Sequence, residues 1–435
     1  MFRVWLALLL QGFICFVFID NAVLRDNSTF ISWAIVLLTS AVFVVWITIS
    51  YLDSTAASII IVGYVIRIAI LFWDSHYRHI FTLIHAGADA DTFYLRAQWL
   101  LYDIWHARQP ESYVHMLHGI FRFFGHQRII AQYINLLLGV TGILIIFKTT
   151  QFLNLSRKVT IIALSIGMFL PNFAIQNVVL LRESTNIFFQ AASLYCFIYW
   201  AKRNNIWSFI LAVGLVFMSA IFHSAVSAIV FAYGICFVLY DSKAGRFKFR
   251  AKSIAFLGVS LFALYAVDYL FGSTVFGYFG RIDSVDALVA HGARVPHGGA
   301  AYTVNIQTGI VMADFLLNTP IRMVYFVLSP LPGYWRGIED VLAFAFSSVL
   351  FGSSYYMAIR TIKRNGANKS LIISLLIISI FTTFVFGWGV SNAGTALRHR
   401  NKFLLQHVLM LSLCLDQKKS LILQPFRNAR REGTL

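Results

Sequence analysis

Charge is scarce in this sequence. Lysine, arginine, aspartate and glutamate make up 12% of its 435 residues, against about a quarter in an ordinary soluble chain. That shortage argues against a water-soluble globular fold, and a hydrophobic content of 59% fills the gap. Acidic residues are the rarer sign, 18 against 35 lysines and arginines, for a formal net charge of +17. The excess is not a nucleic-acid signature, because the basic residues are scattered between apolar runs and form no basic domain that could hold a duplex. Cysteine is scarce too. Cys15, Cys196, Cys236 and Cys414 all fall inside apolar segments, which leaves no disulfide framework and no zinc-ligand spacing. No phosphate loop of the Gly-x-x-x-x-Gly-Lys type occurs, and no inner gap is long enough for a nucleotide-sugar domain. Both absences weigh against an ATP-driven transporter and against a transferase fed by a soluble nucleotide donor.

What is present is a series of apolar runs. A membrane span needs about 20 apolar residues. Candidate runs lie near 4–20, 30–50, 56–74, 128–147, 159–178, 186–201, 206–222, 224–240, 253–270, 338–360, 370–390 and 402–415, the last one short. The expected fold is an all-α polytopic membrane protein of about 12 transmembrane helices, a single integral domain over 1–435. Val4 to Ile19 has only Arg3 ahead of it and no small-residue cleavage site behind, so it reads as a retained span. With the N-terminus inside, the inner gaps hold Lys148, Arg157 and Lys158, then Lys202 and Arg203, then Lys243 to Lys252, then Arg360 to Lys369. A basic cytoplasmic tail over 416–435 adds Lys418, Lys419, Arg427, Arg430 and Arg431. About ten of the eleven lysines are then inside, as the positive-inside rule expects. The implied location is a bacterial cytoplasmic membrane, crossed several times, with both termini cytoplasmic. The outer gaps hold nearly every histidine and roughly thirteen arginines with almost no lysine. The rule counts lysine and arginine alike, so it leaves these arginines unexplained. A guanidinium is a planar fork suited to phosphate or carboxylate, whereas an ammonium is a point charge.

Two outer loops are long. The first, 75–127, contains amphipathic stretches: Phe93, Ala97, Leu100, Leu101 and Ile104 recur at helical spacing, and Val114–Phe124 behaves similarly. Both read as interfacial helices. The second, 271–340, begins glycine-rich (Gly292, Gly298, Gly299) and continues into an apolar stretch, 310–331, interrupted by Pro320 and Pro330 and followed by Pro332. Proline in so short a run suggests a re-entrant or interfacial segment more than a full span.

Four constellations could carry chemistry. Asp89 and Asp91, followed by Tyr94, stand near the start of the first interfacial helix, where a carboxylate could act as general base or help hold a divalent cation. The ordinary alternative is helix capping. Arg182-Glu183-Ser184 lies where one span ends outside and the next begins. It could be a structural ion pair, or a guanidinium set on a phosphate with Glu183 orienting it. His223 lies in an apolar hairpin, where hydrogen bonding to a neighbouring helix competes with a catalytic role. The last outer turn runs from Ser391 to Lys402. Its small residues suit an unwound helix end facing an anion, with Arg398 and Arg400 as paired forks and His399 between them; a headgroup-facing basic cluster is the alternative. Arg336 follows Tyr334 and Trp335, which suit either an interface anchor or a sugar face. Arg67, inside a span, is assigned no role.

This order of residues resembles the C-type membrane glycosyltransferase superfamily, and within it the O-antigen and exopolysaccharide polymerase-like proteins. The resemblance rests on Asp89, Asp91 and Tyr94, then Pro171 with Leu181-Arg182-Glu183-Ser184, then Phe222-His223-Ser224-Ala225, then Gly394 to Arg400. It implies a polyprenyl-phosphate or polyprenyl-diphosphate sugar donor, a site at the outer membrane face, and Asp89 or Asp91 as base. Arg182, Arg398 and Arg400 would hold the phosphate; by position alone Arg336 is a further phosphate candidate, and Tyr94, His399, Tyr334 and Trp335 are substrate-binding candidates. Glu183 and His223 complete the catalytic candidates. In many C-type enzymes the base-bearing loop follows the first span, whereas here it follows the third. Either two spans precede the common core or the Asp pair is not the equivalent element. No cofactor is required, although a divalent cation is compatible with the carboxylates. The implied partners are a polyprenyl-linked glycan, membrane lipid and other polysaccharide-assembly proteins. A flippase for a lipid-linked or anionic glycan is the alternative, and a non-catalytic scaffold a third reading.

Overall fold

Apolar runs bounded by small polar residues become helices, because every backbone amide and carbonyl is then satisfied within its own segment. In chain order the helices are α1 (Asn27–Ser50), α2 (Ser54–Tyr77, its last turn widened at Trp73–Tyr77), α3 (Gly87–Leu101), α4 (Ser112–Phe124) and α5 (Arg128–Phe152). There follow α6 (Arg157–Phe169), α7 (Pro171–Gln176), α8 (Glu183–Arg203) and α9 (Ile206–Phe222), then α10 (Ala228–Leu239) behind a tight turn at Ser224–Ser227. After these come α11 (Val311–Leu328), α12 (Ile338–Lys363), α13 (Lys369–Gly389), α14 (Ala393–Asn401) and α15 (Leu404–Leu415). A two-residue hairpin pairs β1 (Tyr240–Asp241) with β2 (Arg246–Phe247). This computed structural model describes residues 9–13, 26–50, 53–83, 87–102, 111–241, 245–247, 258, 285, 288–290, 301–302, 304, 306–366 and 368–416. The expected span at 253–270, most of the one at 4–20, the glycine-rich start of the second loop and the tail beyond Asp416 lie outside these residues.

Among the described residues, six helices are long and apolar enough to cross a membrane by length and composition: α1, α2, α5, α11, α12 and α13. The chain is thus all-α and membrane-embedded in character, with fewer such helices than the dozen runs in the sequence. Three of the expected spans are interrupted. The run at 159–178 breaks at Leu170-Pro171, because a proline suits the first turn of a new helix and not the interior of an old one. The run at 224–240 begins as a tight turn, and the run at 402–415 keeps only twelve helical residues. The opposite correction applies at Pro320. The stretch expected to be broken there is one continuous helix, α11, of 18 residues. Neighbouring groups can re-satisfy the backbone around a membrane-helix proline; here the adjacent Thr319 hydroxyl bonds the Phe315 carbonyl at 2.7 Å.

The interruptions are buried in protein. Helix α15 is buried along nearly its whole length and packs against α5, α6, α8, α12 and α13. The non-helical stretch between α7 and α8 is served by Asn135 of α5, whose amide reaches Val179 O at 2.7 Å, Leu181 O at 3.1 Å and Tyr113 Oη at 2.9 Å. Gly139 one turn on allows the close approach, since a Cβ there would sit 2.5 Å from Asn177 Cγ. Replacing Asn135 by Ala strands two buried carbonyls, each worth roughly 1–3 kcal/mol when unsatisfied. Asn135→Ala is therefore expected to lower the thermal midpoint of the purified protein by several degrees, and an unchanged melting curve would contradict this.

The two ends of the bundle differ. Asp53 caps α2 by accepting from Thr55 N at 2.9 Å, and Arg157 at the start of α6 pairs with it at 2.8 Å. That hydrogen-bonded guanidinium holds the Asp53 carboxyl down at about 2. Ser156 N reaches Asp416 beyond α15 at 3.3 Å, joining that terminus to the same end. Lys148, Lys158, Lys202 and Arg203 follow by helix connectivity. The other end carries Arg78, Arg96, Arg128, Arg182 and Arg398 in ion pairs, and among the described residues Lys402 is the one lysine paired with them. Among these described residues, lysine and ion-paired arginine concentrate at opposite ends, with Lys402 and Arg157 as exceptions.

Candidate functional site

At the arginine end, two helices of the first loop pack on the bundle. Helix α4 buries Tyr113, Val114, Leu117 and Phe121, and α3 contributes Ala90, Phe93 and Ala97 to the same cluster. Helix α3 starts at Gly87, five residues earlier than its apolar spacing indicates, so Asp89 and Asp91 both belong to its opening turns and favour its positive end. Two residues apart on a helix, they point about 200° away from one another, and the structure gives them different partners.

Asp91 is engaged on both oxygens: Arg78 reaches Oδ2 at 2.7 Å and Arg128 reaches Oδ1 at 2.9 Å. Arg78 also pairs with the buried Asp74 at 2.9 Å, which the widened turn of α2 directs inward. Gln132 donates to the other Asp74 oxygen. This network ties α3 to α2 and α5, with both Asp91 oxygens engaged in it. The two aspartates do not converge, and among the described residues no three His, Cys, Asp or Glu side chains gather as a metal cage. Tyr94 is spent locally as well: its hydroxyl donates to His126 O at 3.0 Å and its ring lies under Arg128.

Asp89 lies on the other side of α3, towards α14. It is 57% exposed and forms an ion pair with Arg398 of α14. The Arg398 Nε lies 3.2 Å from Glu183 Oε1, and Lys402 Nζ lies 3.5 Å from the same oxygen. Glu183, at the first turn of α8, is 1% exposed. Burial pushes its carboxyl up, but the charges of Lys402, Arg398 and Arg182 together outweigh this and hold it below the ordinary carboxylate range. Lys402 Nζ also contacts His399 Nδ1 at 2.8 Å. The His399 ring meets His223 at 4.8 Å between centroids, and Phe386 borders both imidazoles and the ammonium. Burial, and then the Lys402 charge, push both imidazoles well below their usual value. Both are therefore neutral near pH 7, and His399 can accept from Lys402. Beside this chain, Arg182 pairs with Glu111 at 2.7 Å and stands over the Phe93 ring.

The structure thus brings together Asp89, Arg182, Glu183, His223, Arg398 and His399. It does not bring Arg400 with them. Residues 398 and 400 are again two apart on one helix and face opposite ways. Arg400 is fully buried and donates to Phe326 O and Val327 O at 2.9 and 2.6 Å. Those are among the last carbonyls of α11, which have no partner within their own helix. Arg400 is a helix cap, as is Arg67, which binds Gly167 O and Met168 O at the end of α6 at 3.1 and 2.7 Å. Arg336 is held by Asp340, two parallel bonds at 2.9 and 3.0 Å, at the start of α12. Trp335 donates to Pro330 O at 3.0 Å and Tyr334 packs edge-on to Tyr325. None of these three touches the cluster.

Lys402, which closes the last outer turn without an expected role, joins the cluster, and Glu111 and the Asp74–Arg78–Arg128 group flank it with no expectation attached. Lys402 had a usable signal, because it lies four residues after Arg398 and so shares its helix face. Asp74 and Arg78 show the same spacing. Glu111 carries no local sign of its partner. No family model, no curated protein and no solved structure matches this chain.

Proposed function

We propose that this chain is a membrane glycosyltransferase or polysaccharide polymerase acting on sugars linked to polyprenyl phosphate or diphosphate. The observation that carries the reading is the line Asp89–Arg398–Glu183. It is one guanidinium held from behind by a buried carboxylate and from the open side by an exposed one. Glu111 holds Arg182 from the open side in the same way. Carboxylates in that position occupy the place that phosphate oxygens can take, since both present paired acceptors to a guanidinium fork. An arriving lipid phosphate binds Arg398 and Arg182 and releases Asp89. The freed carboxylate accepts the proton of an acceptor hydroxyl, whose oxygen attacks the anomeric carbon. The bond from that carbon to the phosphate oxygen breaks, and the lipid phosphate leaves with the bonding pair. Arg398 and Arg182 meet the growing charge, a form of electrostatic transition-state stabilisation. Glu183, kept ionised by Lys402, fixes the Arg398 fork.

An amphiphilic substrate suits the surroundings. The helices α3 and α4 leave large apolar side chains exposed beside their buried faces, among them Leu95, Trp99, Phe123 and Phe124, as an interfacial helix pair does. The lysine-rich end is the cytoplasmic one in this reading, by the positive-inside rule, and the site then faces the outside of a bacterial cytoplasmic membrane. The two aspartates separate catalysis from assembly. Asp89→Asn is expected to abolish glycan product in a producing strain at normal protein level and thermal stability. Asp91→Asn is expected to lower stability first and product only in proportion. Equal product from Asp89→Asn and the parent protein contradicts the assignment.

A further inference from the structure

At the end opposite the candidate site, a lateral groove of about 510 Å³ opens between α1, α5 and α8, a volume within the range of small-ligand sites. Its walls are Phe43, Trp46 and Ser50 of α1, Thr141, Leu144, Ile145 and Lys148 of α5, and Tyr195 of α8. The apolar and aromatic residues lie along the helices, and the one cation, Lys148, stands towards the helix ends. The pattern continues past the groove. Phe152 stacks on Tyr199 at 5.3 Å and meets Tyr195 at 6.0 Å, and Arg203 stands over the Phe152 ring at 5.9 Å. Towards the lysine end α5 presents Leu144, Ile145, Lys148 and then Phe152, and α8 presents Tyr195, Tyr199 and Arg203, so Lys148 lines the groove and Arg203 stands one ring beyond it. Lys148 and Arg203 are both exposed, and Trp46 is half-exposed.

We propose that this groove is a binding site for an anionic glycerophospholipid of the leaflet opposite the candidate site. One acyl chain lies along Phe43, Trp46, Leu144 and Ile145, and the phosphate lies against Lys148 and Arg203. Charge complementarity selects the occupant. Two cations at the mouth of an apolar groove favour a lipid with net negative charge over a zwitterionic one, because the choline of the latter brings a third positive charge to the same place. The aromatic ring level is where a headgroup boundary lies in a bilayer. The site is separate from the arginine cluster, being at the far end of α5, a helix of 25 residues that spans about 37 Å at 1.5 Å per residue.

Trp46 supplies the probe. The full-length protein is reconstituted in phosphatidylcholine vesicles with rising fractions of phosphatidylglycerol or phosphatidylcholine brominated on the acyl chains, and the signal of a Trp46→Phe variant is subtracted. The Trp46 component is expected to be half-quenched at a roughly 25-fold lower fraction of the brominated phosphatidylglycerol, the two basic residues contributing about fivefold each. Lys148→Ala is expected to reduce that preference roughly fivefold, the weight of one basic residue at an anionic surface. Arg203→Ala in addition should remove it, and Lys148→Arg should retain it. Equal quenching by the two lipids overturns the proposal. So does a preference that survives the double variant, or a Trp46 signal that neither lipid quenches because another part of the chain or a second copy fills the groove.

Discussion

Arg398→Ala is expected to reduce glycan transfer by roughly a hundred- to a thousandfold, the scale on which removal of one well-placed charge-stabilising donor acts. Among the described residues Arg398 is the one side chain that pairs with both the exposed Asp89 and the buried Glu183, so on the proposed function its loss removes the fork that meets the phosphate and leaves Asp89 unheld. Arg398→Lys should recover only a small part of the rate, because an ammonium cannot present two parallel donors to a phosphate. Arg400→Ala is the informative contrast. It removes a cap from α11, so it should lower the thermal midpoint, and transfer should fall only as far as folded protein is lost. Steady-state rates per folded molecule for the three variants, normalised by a thermal-shift or gel-filtration measure, check this. A rate for Arg398→Ala within a few-fold of the parent contradicts it.

Glu183→Ala is expected to be the most destabilising single change in the cluster, by roughly 3–5 kcal/mol, because it strips a buried cation of its counter-charge. Lys402 is fully buried, and Glu183 is its only carboxylate partner among the described residues; burial pushes the ammonium well below the ordinary lysine value and the Glu183 charge opposes that, so losing Glu183 leaves Lys402 either an unpaired cation or a neutral amine without its partner. The sign of the double variant is the useful part. Lys402→Met alone leaves Glu183 with Arg398. Glu183→Ala combined with Lys402→Met removes both ends of the buried pair and should recover a large share of the lost stability. The double-variant cycle should therefore show clear coupling, as expected for side chains in one ion-pair network. Additive losses in thermal unfolding would mean that the pair is not coupled. Transfer should stay absent in the double variant even where stability returns, because the Arg398 fork has lost its rear support.

The helical, membrane-embedded character was legible because apolar runs are long and the cap residues local. The interruptions were not. Two short helices laid end to end read as one apolar run, so the breaks at Leu170-Pro171 and at Ser224–Ser227 disappear into averaged hydropathy. Pro320 misled in the other direction, since proline marks a break only where no neighbour supplies the missing contacts. In the site, Asp89, Arg182, Glu183, His223, Arg398 and His399 could be picked out as polar groups at the ends of apolar runs. Their grouping depended on helix phase. Arg398 with Arg400, and Asp89 with Asp91, look like pairs in sequence and point apart on a helix, whereas Arg398 and Lys402 look unrelated and share a face. The Asp74–Arg78–Arg128–Asp91 network joins three helices, and no local pattern announces a partner so far along the chain.

The most direct measurement is made on purified protein in vesicles with a radiolabelled polyprenyl-diphosphate oligosaccharide. Longer lipid-linked or released glycans are expected with the parent protein and Arg400→Ala, and none with Asp89→Asn or Arg398→Ala. Movement of the labelled lipid from one leaflet to the other without any new glycosidic bond would contradict it, and would make the same arginines the binding site of a flippase.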